Sequence, residues 1–176
     1  MKILLPLLIA SSLFGISGSQ SKVIKDSFNI GKQISAKDGM TFGYTLASIA
    51  LTESSAGKNI IGDMMTKHLR DGSLGTYQIR LVTAREIIKK DKYCNEHFKH
   101  LLKNEKRLLT MLLTSNDFGA ILAGTYLKMS YNNALRVQKD NGPYFHAVSR
   151  YNGGSNNHKY VQRVRKNMKI IKKELE

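Results

Sequence analysis

Apolar residues along this chain recur at the helical period almost everywhere. Phe98, Leu101, Leu102, Leu108, Leu109 and Leu112 keep i, i+3, i+4 spacing, and so do Phe118, Ile121, Leu122, Thr125, Tyr126 and Met129. A third stripe runs through Tyr160, Val161, Val164, Met168 and Ile171. Thr83-Ala84-Arg85-Glu86 reads as a capping box opening a helix through about Lys90, and Asn116 as the cap of a helix beginning near Asp117. Polar, irregular stretches fall at 57–75, 139–143 and 152–157, with no internal repeat and no low-complexity tract. The pattern predicts an all-α single domain carrying one long glycine-containing loop, a feature that in small domains usually serves function.

The N-terminus departs from this pattern. Lys2 precedes an apolar run from Ile3 to Phe14, and Gly15-Ile16-Ser17-Gly18-Ser19 supplies small residues at a cleavage site. That is the layout of a secretory signal peptide over residues 1–19, and the run is too short to span a bilayer at about 20 residues. The domain then occupies 20–176, exported to a bacterial periplasm or envelope. Taking nineteen residues and one lysine from 176 residues at +15 leaves 157 residues at +14. A chain of that length buries about 70% of its unfolded surface, enough for one core. The charge calls for an anionic partner. Export favours wall polymer or lipid over nucleic acid, for which no signature appears. One Cys excludes a disulfide framework and leaves Cys94 a lone thiol, expected to be buried.

One carboxylate sits where the pattern calls for an apolar residue. At 100° per residue, Phe42, Leu46, Ile49 and Ala50 share a face, and Glu53 falls inside the same arc. Desolvation there raises a carboxyl pKa, which suits a general acid; the plainer alternative is a Glu opening an exposed loop or paired with a base.

Glu53-Ser54 is followed by Ser73-Leu74-Gly75-Thr76-Tyr77-Gln78-Ile79 with Thr83-Ala84, by Ile121-Leu122-Ala123-Gly124-Thr125-Tyr126-Leu127, and by Arg150-Tyr151-Asn152-Gly153-Gly154. In this order, over about 42–160, these segments resemble the catalytic domain of the soluble lytic transglycosylases, a bacterial family of lysozyme-like fold. The pattern departs at Thr76 and Tyr77 for a Leu-Met pair, at Leu81 for a Pro, at Arg150 for an Ala, and in a longer, more charged segment before Gly75. The resemblance implies a groove between helices and the long loop, with Glu53 catalytic and Tyr151 beside it. Ser54, Ser73, Gly75, Tyr77, Gln78 and Asn152 would then lie along the glycan. Four of these have a plainer alternative: Ser54 caps or faces solvent, Tyr77 and Tyr151 pack in the core, and Gln78 holds the loop closed.

By the same resemblance, one carboxyl acts as acid and then base in cleaving murein between N-acetylmuramic acid and N-acetylglucosamine, leaving an anhydro end without water or cofactor. Hydrolysis usually needs a second acid. Asp63 and Asp71 are the loop residues able to supply one, which would make the chain a goose-type-like lysozyme. A basic, non-catalytic wall-binding or secretion component is the third reading. The expected partners are peptidoglycan strands, acted on by a monomer, with a wall-spanning secretion or conjugation complex as a further one.

Two other constellations carry less. Cys94, His97 and His100, taken on one helix, fan across a third of its circumference and converge poorly on an ion, so no metal is expected. Lys159, Arg163, Arg165, Lys166, Lys169, Lys172 and Lys173 form a basic C-terminal helix, read as a solvated face or as electrostatic retention at an anionic polymer or lipid.

Overall fold

The computed structural model describes residues 15–62, 68–138 and 140–176. Among them are eight α-helices: α1 (Gly18–Gln33), α2 (Gly43–Ser54), α3 (Leu81–Lys90), α4 (Lys92–Phe98), α5 (Glu105–Thr114), α6 (Asn116–Arg136), α7 (Gly142–Tyr151) and α8 (His158–Leu175). The fold is all-α apart from a two-residue ladder, β1 (Ser73–Leu74) antiparallel to β2 (Ile79–Arg80), in the register Ser73↔Arg80 and Leu74↔Ile79. None of these helices is long and apolar enough to cross a membrane.

α2 is the axis of the molecule. Gly43, Thr45, Leu46, Ala47, Ser48, Ile49 and Ala50 are all buried, so the helix is enclosed nearly all round by α1, α6 and α8. α1 comes close because Gly31 has no side chain: a Cβ there would lie 2.7 Å from the Phe42 carbonyl oxygen, and the Phe42 N–H instead donates to Gly31 O at 3.0 Å. On the other side, Asn167 of α8 donates to Thr52 Oγ1 at 2.8 Å, fixing the last turn of α2 against the C-terminal helix.

Several boundaries differ from the expected ones. α3 starts at Leu81, without a side-chain cap, so Thr83 lies inside its first turn; Glu86 pairs with Lys90 at 2.6 Å instead of closing a box. α6 is capped by Ser115, while Asn116 accepts a hydrogen bond from Thr76. The stripe from Phe98 to Leu112 is split: a 3-10 turn, Lys99–Lys103, follows α4, and Asn104 caps α5 by accepting from Arg107 N at 3.0 Å. The long loop contains a second 3-10 turn, Leu69–Asp71, and ends in the ladder.

The apolar run from Ile3 to Phe14, expected to belong to a signal peptide, lies outside the described residues, as does Asp63. Ser17 and Gln20 form a capping box at the start of α1, which a cut after Ser19 would remove.

Candidate functional site

The site begins where α2 stops. Ser55 and Ala56 adopt left-handed backbone with φ of 54° and 55°, and Gly57 follows at 86°. Two successive non-glycine residues in this region are costly and persist only where surrounding contacts impose them. Here the contacts are explicit. The Ala56 N–H donates to Ala50 O at 2.9 Å and the Asn59 N–H to Ser54 O at 2.9 Å. The buried Ser54 hydroxyl donates to Thr76 O at 2.7 Å and accepts from Gly57 N at 2.7 Å. The end of α2 is thereby tied to the 75–78 turn.

Glu53 occupies the last turn of α2 and is half-buried. Its Oε1 accepts a short hydrogen bond from the hydroxyl of Tyr160, which α8 buries against it. Arg163, one turn further along α8, lies over the Tyr160 ring at 5.6 Å and attracts the carboxylate without forming an ion pair. Burial raises the Glu53 pKa above its ordinary 4.5, and the Tyr160 bond and Arg163 offset this only in part.

Tyr151, the last residue of α7, buries its phenol oxygen near the same carboxylate. Its O–H donates to Tyr77 O at 2.8 Å, and its ring meets Tyr126 edge-on at 5.8 Å. Burial and the neighbouring Glu53 push both Tyr151 and Tyr160 far above the usual phenol range, so both remain protonated donors.

Tyr160 thus bonds the Glu53 carboxyl directly, while Tyr151 feels its charge and gives its own hydroxyl to Tyr77 O. Asn152 is exposed, accepts from Asn157 Nδ2 at 3.0 Å, and lines a pocket of about 260 Å³ with Tyr160 and Arg163. Tyr126, whose ring meets Tyr151, also borders with Arg150 a cleft of about 620 Å³ that extends over α3 and α6.

The other expected glycan-binding residues are engaged within the protein to different degrees. Ser54 is 1% exposed and fully engaged in tying the turn. Tyr77 is 2% exposed and sends its hydroxyl to Ser27 of α1 at 2.6 Å, so its ring is core. Gly75, at φ 72°, makes its close approach to α5: a Cβ would lie 2.0 Å from Leu112 O. Gln78, itself left-handed at φ 49°, donates its amide to Gly75 O at 2.8 Å and Asn59 O at 3.3 Å, which closes the loop. Ser73 is half-buried in β1, where its carbonyl accepts from Gly62 N at 2.9 Å. Ser54, Gly75 and Tyr77 are thus buried within the protein, while Ser73 and Gln78 remain partly exposed.

Compared with protein-family models, curated proteins and solved structures, the chain matches none. The chemistry of the site rests on its own geometry.

Tyr160 is the residue that sequence reasoning missed. It belongs to the apolar stripe of α8, and a tyrosine on a buried stripe needs a partner for its hydroxyl, which was the available signal. Asp71 is exposed and shares with Arg70, Arg80, Arg85 and Glu105 a small pocket that Glu53 does not line. Cys94 is buried on α4, its thiol pushed up to about 11 by burial, and lies 3.7 Å from Thr125 Oγ1. His97 stacks on Tyr93 at 4.1 Å, and His100 lies in the following 3-10 turn. Among the described residues no three His, Cys, Asp or Glu side chains are grouped to hold a metal ion.

Proposed function

We propose that this chain is an exported murein lytic transglycosylase of lysozyme-like fold, with Glu53 as its single acid and base. The observation that carries this reading is the state of Glu53. It is a half-buried carboxyl with a raised pKa, held by a phenol and not neutralised by a cation. Such a group keeps its proton nearer neutral pH than an ordinary glutamate and can release it to a leaving oxygen.

In the proposed reaction Glu53 protonates the glycosidic oxygen between N-acetylmuramic acid and N-acetylglucosamine. The Tyr160 hydroxyl, donating to Oε1, stabilises the carboxylate so formed. The carboxylate then takes the proton of the muramyl C6 hydroxyl as that oxygen closes on C1. The bond to the leaving sugar is broken, an anhydro ring is made, and the carboxyl regains its proton with no water consumed. Tyr151 holds the 75–78 turn through Tyr77 O and keeps the carboxyl in a poorly solvated corner. The strongly basic exterior suits an acidic wall, whether in general turnover or beside a wall-spanning secretion or conjugation complex.

Mass spectrometry of murein digested with the protein tests the reading. Anhydromuramyl ends are the expected product. Reducing muramyl ends would replace lyase by a goose-type-like hydrolase, and intact murein would leave a non-catalytic wall-binding component.

A further inference from the structure

The opposite end of α2 opens into a second cleft, of about 580 Å³, between α1, the first turn of α2, α7 and α8. Its walls carry three cations, each over an aromatic ring. Lys32 Nζ lies 5.4 Å from the centre of Phe28, Arg165 Cζ 5.7 Å from Tyr144, and Lys172 Nζ 5.3 Å from Tyr44. Phe28 and Tyr44 also pack on each other at 4.7 Å, and the thioethers of Met40 and Met168 complete an apolar floor. No acid lines the cleft, and none of the three cations forms an ion pair among the described residues.

Two further features give the cleft a positive, donor-rich interior. Phe42 places no side-chain cap on α2, so the positive end of that helix faces the cleft through Gly43 and Thr45. Tyr144 accepts from Thr45 Oγ1 at 3.5 Å, and its own proton has no acceptor among the described residues. Rings hold the cations in place without neutralising them.

The geometry points to this cleft as a binding site for the phosphate headgroup of an anionic phospholipid, with the glycerol and upper acyl chain against Phe28, Met40 and Met168. A fully hydrated polyanion would gain nothing from a floor of rings and thioethers, whereas an amphiphile uses both halves of the site. The same helix α8 exposes Lys166, Lys169 and Lys173 together with Ile170, a surface suited to lie along a negative leaflet. The site is independent of Glu53 chemistry and would hold the protein at a membrane face while α2 presents the carboxyl at its other end.

The test titrates the full chain with short-chain phosphatidylglycerol below its micelle concentration, following the Met40 and Met168 methyl resonances. Saturable shifts are expected with phosphatidylglycerol and not with phosphatidylcholine of the same chain length. Lys32→Ala/Arg165→Ala/Lys172→Ala should weaken binding about tenfold or more, and Lys166→Ala/Lys169→Ala/Lys173→Ala, which removes equal charge, about threefold or less. Thermal melts of both triple variants confirm that they are folded. Equal loss in both variants, equal affinity for inorganic phosphate or phosphatidylcholine, or shifts with poly-glutamate alone would each overturn the assignment.

Discussion

Glu53 and Asp91 are both drawn out of water, yet their pKa values move in opposite directions. Asp91, at the N-terminus of α4, has a side chain only 9% exposed, accepts from Cys94 N at 3.1 Å and pairs with Lys128 at 2.7 Å. Burial works against its charge, but Lys128 and the amide outweigh it and hold the carboxyl below its usual range. Burial also works against the charge of Glu53, whose partners are a phenol and a more distant guanidinium, and its pKa stays raised. What decides the chemistry is the kind of partner. A cation and a backbone amide hold a carboxylate charged to lower pH than usual; a neutral phenol lets a buried carboxyl keep its proton to higher pH.

The largest effect that would test this contrast is on turnover. Glu53→Gln should reduce muropeptide release by about 10²–10⁴-fold. The fold should be retained, since Gln preserves the shape of the side chain and can still accept from Tyr160. Stability should move the other way. With a raised folded pKa, Glu53 contributes fully below about 4.5 and loses that contribution as pH rises through the folded value. Glu53→Gln should therefore melt higher than the parent chain at pH 7, with the difference vanishing near pH 4. A variant that melts lower at pH 7 would mean that the carboxylate is stabilising.

Asp91→Asn comes next. It should cost about 2 kcal/mol by leaving Lys128 without its carboxylate, since Asn keeps the oxygen that caps α4. The sign is opposite to that of Glu53. Asp91 stabilises above its ordinary 3.8, and this is lost as pH falls through the lower folded value. Acid denaturation of the parent chain should therefore be steeper than that of Asp91→Asn, with activity per folded molecule unchanged.

Tyr160→Phe removes the bond that lowers the Glu53 pKa while sparing most of the packing. Turnover should drop roughly tenfold, in line with a lost hydrogen bond to a charged group. The alkaline limb of the pH profile should move upward, because the carboxyl then holds its proton to higher pH. A drop in rate with an unmoved profile would make Tyr160 purely structural.

The smallest effect is expected at Tyr77→Phe. Loss of its bond to Ser27 should cost about 1 kcal/mol, read from chemical denaturation, and leave turnover near the parent value. A selective loss of activity would return Tyr77 to the glycan-binding surface.

Which parts of this arrangement were legible before the structure follows from what a sequence encodes. Helical periodicity marked the stripes of α2, α5, α6 and α8, because burial of one face is a property of residue spacing, but α1 and α7 were not read from it. It also marked Glu53 as lying in the apolar arc of α2. The break between Phe98 and Leu112 escaped because Asn104 caps α5 in the middle of a stripe whose spacing reads as continuous. The side chains of Ser54 and Tyr77 and the close approach of Gly75 point into the protein. Residue type shows that a group can bind a sugar; only the left-handed backbone at Ser55 and Ala56 and the 75–78 turn determine which way it faces. That backbone is imposed by long-range contacts and leaves no periodic trace. Tyr160 stayed hidden for a related reason, since its partner is 107 residues away.

The carboxyl itself offers the most direct measurement. In a carbon-detected NMR titration of the side-chain carboxyls, Glu53 should titrate above its ordinary 4.5 and Asp91 below its ordinary 3.8, and Tyr160→Phe should move Glu53 higher still. A Glu53 midpoint at or below 4.5, unmoved by loss of the Tyr160 hydroxyl, would contradict the assignment of this residue as the proton donor.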